Sequence, residues 1–451
     1  MEESSISRRV SYRLATPKAA PPADRVDEAE IADETKDDGY EPTLRLPAYK
    51  ARDGYEPTLR LPAHKPKIHL AFLDALRGLA ALYVAIGHAY VSVRDQLNLK
   101  TINPKVLTML KMIDLGHFAV AVFIVLSGYC LMLPVARAAN GLIPGGVGPF
   151  FKRRARRIIP PYMAALVLSL GLVVALAWFS DGKGGSGIPL STQLSVGSIL
   201  SHALLVHNLF PQWNQTINGP MWSVAMEFQI YFLFPLLLLP AWRKFGNVGA
   251  LVCGFAVGLA PLLLGHDRNM EWTYPWYIGL FAVGMAGAVV SFSDAPSKRR
   301  LRDNLPWGVI SVTMALIVFF GLALFPHWCW RFVWLSDAIV GLATISVIIY
   351  CAKKAGEQAD AKPKGLVGLL SAKPLVKLGA FSYSLYLIHM PILFMTGELL
   401  RSAIAYPNAR LIVQMFVMLP AATVAAYFFY QSFEKPFVGP AKGQQKAKAP
   451  V

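Results

Sequence analysis

Asp74, Arg77 and His88 stand inside the apolar run "LDALRGLAALYVAIGHAY" (residues 73–90), where hydrocarbon penalises each of them. Arg77 and His88 are eleven residues apart, which on a helix is three turns plus about 20° and roughly 16 Å of rise. Asp74 precedes Arg77 by about one turn on nearly the same face. The three form one stripe: a carboxylate that can hold a guanidinium, a guanidinium that can meet negative charge, and an imidazole whose unperturbed pKa near ~6.5 suits proton transfer. An Asp74–Arg77 ion pair beside a hydrogen-bonded His88 would account for the same residues without any chemistry.

Glu227 lies in "GPMWSVAMEFQIYFLFP" (219–235) with Ser223 one turn before it and Tyr231 one turn after. A carboxyl with two hydroxyl neighbours on its own helix face can be tuned as an acid or base, or can bridge two helices. "FFKRRARRIIPPY" (150–162) gathers Arg153, Arg154, Arg156 and Arg157. On charge alone these anchor topology; guanidiniums also bind phosphorylated ligands such as coenzyme A through paired contacts. "FSYSLYLIHMPIL" (381–393) places Ser382, Ser384 and His389 in an otherwise apolar span. The four cysteines are scattered without CxxC or Cys/His ligand spacing, so no metal site is expected. The glycine-rich "GKGGSG" (182–187) lacks the order of a phosphate loop and reads as a flexible loop.

These residues need apolar helices to carry them. The 451-residue chain is 55% hydrophobic and only 16% charged, against about 25% charged in soluble domains. The expected fold is all-α: a polytopic membrane bundle of about ten spans, near 68–90, 117–135, 162–179, 221–240, 248–265, 274–292, 307–325, 332–351, 380–400 and 409–430. Basic loops at 152–157, 242–244, 298–302 and 353–364 fall on one side of that count, which puts both termini in the cytoplasm. The net charge of +17 is explained by this topology, and no basic–aromatic interleaving suggests nucleic acid. The bilayer is the expected partner. Residues 196–210, "VGSILSHALLVHNLF", form a shorter apolar stretch suited to an interface. Residues 1–67 are polar and repeat "DGYEPTLRLPA" at 38–48 and 53–63. They read as a disordered tail or as a docking motif present twice, with an unknown partner. A basic tail follows the bundle at 438–451.

Taken in order, the segments resemble the acyltransferase-3 family of integral membrane O-acyltransferases. "LDALRGLAALYVAIGH" (73–88) is similar to that family's first helix, with an arginine, ten residues and a histidine. "VFIVLSGYCL" (122–131) resembles its "FFxLSGF", with Tyr129 for the usual Phe. "RRARRIIPPY" (153–162), "WSVAMEFQIYFLFP" (222–235), "GAFSYSLYLIHMPIL" (379–393) and "FEKPF" (433–437) resemble four further family segments. The resemblance covers about residues 68–437; the repeat-bearing tail is not part of it.

The resemblance implies transfer of an acyl group, most often acetyl but also succinyl or longer, from acyl-CoA to a hydroxyl. The acceptor would be a carbohydrate such as an exopolysaccharide or lipid-linked glycan, or a small secondary metabolite. It implies His88 as base, Arg77 and Asp74 beside it, and Glu227 as assistant, with Arg153, Arg154, Arg156 and Arg157 on the CoA. Ser127, Trp222, Ser223, Tyr231, Ser382 and His389 are the expected surroundings of the substrates. The setting would be a plasma (inner) membrane. A transporter would also place polar groups inside spans, but the motifs occur once each and are not echoed in the second half, as an internally repeated transporter would show.

Overall fold

The computed structural model describes residues 70–97, 102–138, 140–177, 190–264, 272–358 and 361–438. The N-terminal repeat, the 182–187 loop and nearly all of the C-terminal tail lie outside them. Helix α1 (Ala71–Arg94) leads through a short α2 (Pro104–Ile113) to α3 (Gly116–Arg137), and α4 (Val147–Ala177) carries the arginines. Two short helices, α5 (Leu190–Gln193) and α6 (Val196–Ala203), precede α7 (Met221–Leu233) and α8 (Leu239–Leu264). Then come α9 (Tyr277–Phe292), α10 (Pro296–Asn304), α11 (Trp307–Leu324), α12 (Pro326–Arg331) and α13 (Val333–Glu357). Helices α14 (Gly365–Leu370) and α15 (Lys373–Ala380) lead into α16 (Ser382–Ala403); α17 (Pro407–Val413) and α18 (Leu419–Phe429) complete the bundle. No strand occurs among the described residues.

Eight helices among the described residues are long and apolar enough to cross a membrane, and α9 with α10, bent by 92°, makes a ninth. The expected ten agree once the continuous stretch Met221–Leu263 is divided. Its break is at Gly246, whose φ of 66° and ψ of −158° no helix contains. Glycine tolerates this backbone where a side chain would clash. The structure differs from expectation at the arginine cluster, which is not a loop. The helix begins at Val147 and runs unbroken through the arginines and through Pro160 and Pro161, so their spacing becomes helical and sorts them onto faces.

Close helix approach, rather than a water-driven core, holds a bundle in hydrocarbon together. A Cβ at Gly128 of α3 would collide with the carbonyl of Phe281 on α9, and one at Gly284 of α9 with the carbonyl of Val125 on α3. The two backbones touch there and tolerate only glycine. Helix α1 uses the same device: Gly78, Ala81, Ala85 and Ala89 are buried small residues along one face. Gly379 of α15 packs against the Asp74 carbonyl with no room for a side chain. The lipid-facing surface is apolar; Leu236, Phe319, Leu263 and Phe416 all lie exposed on it.

Helix α6 is amphipathic the reverse way from a soluble protein's surface helix. Ser198, Ser201 and His202 are buried, while Val196, Leu200 and Leu204 are exposed. Polar groups bond inward: Ser198 Oγ meets Thr216 Oγ1 at 2.7 Å, and Tyr162 donates to the His202 carbonyl at 3.0 Å. That is the arrangement of a helix whose outer face lies against lipid.

Candidate active site

One cleft within the bundle spans about 820 Å³ of non-atom space, the open solvent at its mouth included. Helix α1 contributes Arg77, α3 Ser127, α4 Arg154 and Arg157, α7 Ser223, Glu227 and Tyr231, and α16 Ser382, Tyr383 and Tyr386. The structure thus brings together residues up to about 300 positions apart in the chain. Of the four clustered arginines only two line the cleft. Arg154 and Arg157, three apart, share a helix face; Arg153 and Arg156 turn outward and are exposed, and Arg153 donates to the Pro144 carbonyl at 3.2 Å. Arg154 Nε is buried without a hydrogen-bond partner among the described residues.

The same cleft holds a hydroxyl relay. Tyr231 donates to Glu227 Oε1 at 2.5 Å, and Ser127 Oγ lies 3.0 Å from the Tyr231 oxygen. Because the tyrosine proton is given to the carboxylate, Ser127 is the donor in the second bond. Ser223 donates to the Pro220 carbonyl at 3.1 Å and its oxygen lies 2.7 Å from the Tyr386 hydroxyl. Ser382 donates to the Gly379 carbonyl at 2.8 Å. Asp74 does not line the cleft; it pairs with Arg77 at 3.4 Å, both groups being partly accessible.

His88 and His389 are not among the residues that line this cleft. Their rings stack with centroids 5.1 Å apart, and His88 Nδ1 is 2.8 Å from His389 Nε2. His389 Nδ1 is 2.9 Å from the Leu385 carbonyl. A carbonyl only accepts, so His389 Nδ1 carries hydrogen, and in the neutral ring its Nε2 offers a lone pair. His88 Nδ1 therefore carries the shared proton, and His88 Nε2 holds a free lone pair. His88 is half-buried, whereas His389 is fully buried. Tyr386 connects the two regions: it lines the cleft, and its ring lies 5.8 Å from that of His389.

Trp222 is placed elsewhere. Its ring lies tilted against that of Tyr274, centroids 4.6 Å apart, in an aromatic cluster beside buried Asp337. One oxygen of Asp337 takes Trp276 Nε1–H at 2.9 Å and His117 Nε2 at 3.0 Å. Sequence reading missed this centre because its members come from three separate helix ends. It also missed Tyr386 and Tyr383, although Tyr386 stands one turn after Ser382 and could have been read from that spacing. Ser384 does not enter the site. Its backbone N–H and hydroxyl both donate to Glu434 Oε2, at 3.2 and 2.5 Å, so the "FEKPF" segment satisfies the first turn of α16. Among the described residues no group of three or more His, Cys, Asp or Glu could hold a metal ion.

The family model of the acyltransferase domain (acyltransferase-3) matches residues 70–431. The acyltransferase MdmB of Streptomyces mycarofaciens is 24% identical over 359 residues, covering 73% of this chain and 82% of that protein. The O-acetyltransferase OatA of Staphylococcus aureus (strain NCTC 8325 / PS 47) is 23% identical over 345 residues, 72% of this chain. The match to OatA spans about half of its length, 51%. No solved structure matches.

Proposed function

This chain belongs to the acyltransferase-3 family, and on that premise we propose that it moves an acetyl group from acetyl-CoA to a hydroxyl of a glycan, with His88 as the base. The observation that carries the proposal is the hydrogen-bonded chain from Leu385 O through His389 to His88, which the Tyr386 ring joins to a cleft lined by three arginines.

A phosphorylated donor suits that cleft. Arg154 and Arg157 face it with Arg77, and the unpartnered Arg154 Nε needs an acceptor. Phosphate oxygens supply acceptors to guanidiniums in short, charge-assisted pairs. Arg77 sits about three helical turns from His88 on α1, so it serves the donor and Asp74 orients it. Glu227, through Tyr231, orders Ser127 within the same cleft. Arg153 and Arg156, being exposed, are left to anchoring.

In the transfer step the acceptor hydroxyl gives its proton to His88 Nε2 as its oxygen attacks the thioester carbonyl. A C–O bond forms, the oxyanion collapses, the C–S bond breaks, and the proton on His88 goes to the departing thiolate. His389 keeps His88 in the tautomer that can accept. No covalent acyl-enzyme is needed. The alternation of basic segments along the chain supports a plasma-membrane setting with both termini and the arginine end of α4 on the cytoplasmic side.

The test is transfer from radiolabelled acetyl-CoA by protein in nanodiscs to a panel of glycans and small hydroxylated metabolites, with His88→Ala alongside. Label reaches an acceptor only with the native histidine. Transfer by a folded His88→Ala protein at the native rate would sink the assignment.

A further inference from the structure

A second cleft opens at the far end of α4 from the arginines. Val173 of α4, Gln193, Gln215 and Asn218 of the 190–220 segment, and Met390 and Phe394 of α16 line it. Arg157 and Val173 are sixteen residues apart on one helix, or about 24 Å along its axis. The order along α16 is informative. Ser382, Tyr383 and Tyr386 line the arginine cleft, His389 follows, and Met390 and Phe394 line the second cleft. The segment 219–227 repeats this order, with Gly219 at the second cleft and Ser223 and Glu227 at the first. The histidine pair therefore stands between two cavities in series.

The chemistry of the second cleft differs from that of the first. No charged side chain lines it, and its polar groups are three carboxamides. Asn218 is held rigidly, its Nδ2 donating to Ser169 Oγ at 3.1 Å and to the Leu387 carbonyl at 2.8 Å. Its Oδ1 is buried without a hydrogen-bond partner among the described residues, and a buried acceptor is costly to leave unmet. A carboxamide both donates and accepts, as a sugar hydroxyl does. Val173, Met390 and Phe394 supply apolar surface for the face of a ring.

We propose that this cleft is the acceptor subsite and binds a neutral, hydroxyl-rich sugar, delivering one hydroxyl to His88 from the side opposite the acyl donor. The inference rests on the transferase reading above and goes further by placing the acceptor and stating its charge.

The experiment is acetyl transfer in nanodiscs to fully N-acetylated chitotetraose, a neutral sugar oligomer, comparing the native protein with Gln215→Leu and Val173→Phe. Gln215 is an exposed side chain in the 190–220 segment, so its substitution keeps the test open if Val173→Phe fails to fold. Both substitutions should raise the KM for chitotetraose by about ten-fold and leave the KM for acetyl-CoA unchanged. An unchanged chitotetraose KM in the folded variants overturns the proposal. So does a native protein that releases CoA but leaves chitotetraose unlabelled. A native protein that releases no CoA at all refutes the transferase reading itself, a different failure from either of these.

Discussion

Substituting His389 separates a base that is merely present from one held in a working tautomer. In the native arrangement the Leu385 carbonyl orients His389 at 2.9 Å, and His389 Nε2 accepts the His88 Nδ1 proton at 2.8 Å. His389→Ala removes that acceptor. His88 then loses one neutral hydrogen bond, about 1–1.5 kcal/mol, which is about 5- to 15-fold if only orientation suffers. If the proton moves to Nε2, the base is lost and the fall reaches the ~10²–10⁴ expected for a positioned general base. We expect His389→Ala to lower kcat by ~10–10³-fold with little change in the KM for acetyl-CoA, since His389 does not line the arginine cleft. His389→Gln, whose amide oxygen can accept the same proton, should recover part of the loss. Steady-state kinetics on folded protein, checked by size-exclusion and thermal unfolding, decides the matter. Equal activity of His389→Ala and native protein would refute the tautomer argument even if His88→Ala were inactive.

Three further outcomes follow from the geometry. Arg154→Ala and Arg157→Ala should each raise the KM for acetyl-CoA by roughly 10- to 100-fold, the worth of a charge-assisted contact. Arg153→Ala and Arg156→Ala, altering exposed groups, should stay near the native value; a uniform effect of all four would contradict the division of faces. Asp337→Ala leaves Trp276 Nε1–H and His117 buried without their acceptor; it should cost about 2–4 kcal/mol and lower the unfolding temperature in detergent, with Asp337→Asn milder. The stacked His202 and His207, outside the spans, have centroids 3.8 Å apart. Burial pushes His202 down to about 4, and burial with the neighbouring His202 pushes His207 down to about 2. Their folded values lie below the unfolded ~6.5, so their stabilising effect is whole above that pH and declines as pH falls through it, by up to about 2 kcal/mol per ring at pH 5. The hydrogen-exchange protection factors of residues 190–219, corrected for the intrinsic pH dependence of exchange, should fall between pH 7 and 5 and fall less in His207→Phe; pH-independent protection factors would refute this.

Much of this protein is legible in its sequence. Bilayer thickness sets the length of an apolar span and helical pitch sets which residues share a face. The helical bundle and the Asp74–Arg77–His88 stripe follow from those two rules, and the stripe's ion pair forms as the i,i+3 spacing implies. Family membership was legible too, from short segments in a fixed order, and the match over 70–431 bears it out. Charge alone misleads at the arginines: a basic run suggests a loop, yet the helix continues through them.

What pairs with what across the bundle is another matter. His389 is 301 positions from His88, and nothing in either segment says that their rings meet. Glycines at 128 and 284 let α3 and α9 touch, but the sequence does not state which glycine faces which carbonyl. The separation of Trp222 from the arginine cleft, the choice of Arg154 and Arg157 over their neighbours, and the carboxamide cleft were all decided by tertiary packing. The physical reason is one of range. Periodicity constrains contacts within a helix, over a few residues, while a site between helices depends on the rotation and depth of each helix against its neighbours, which only the packed bundle sets.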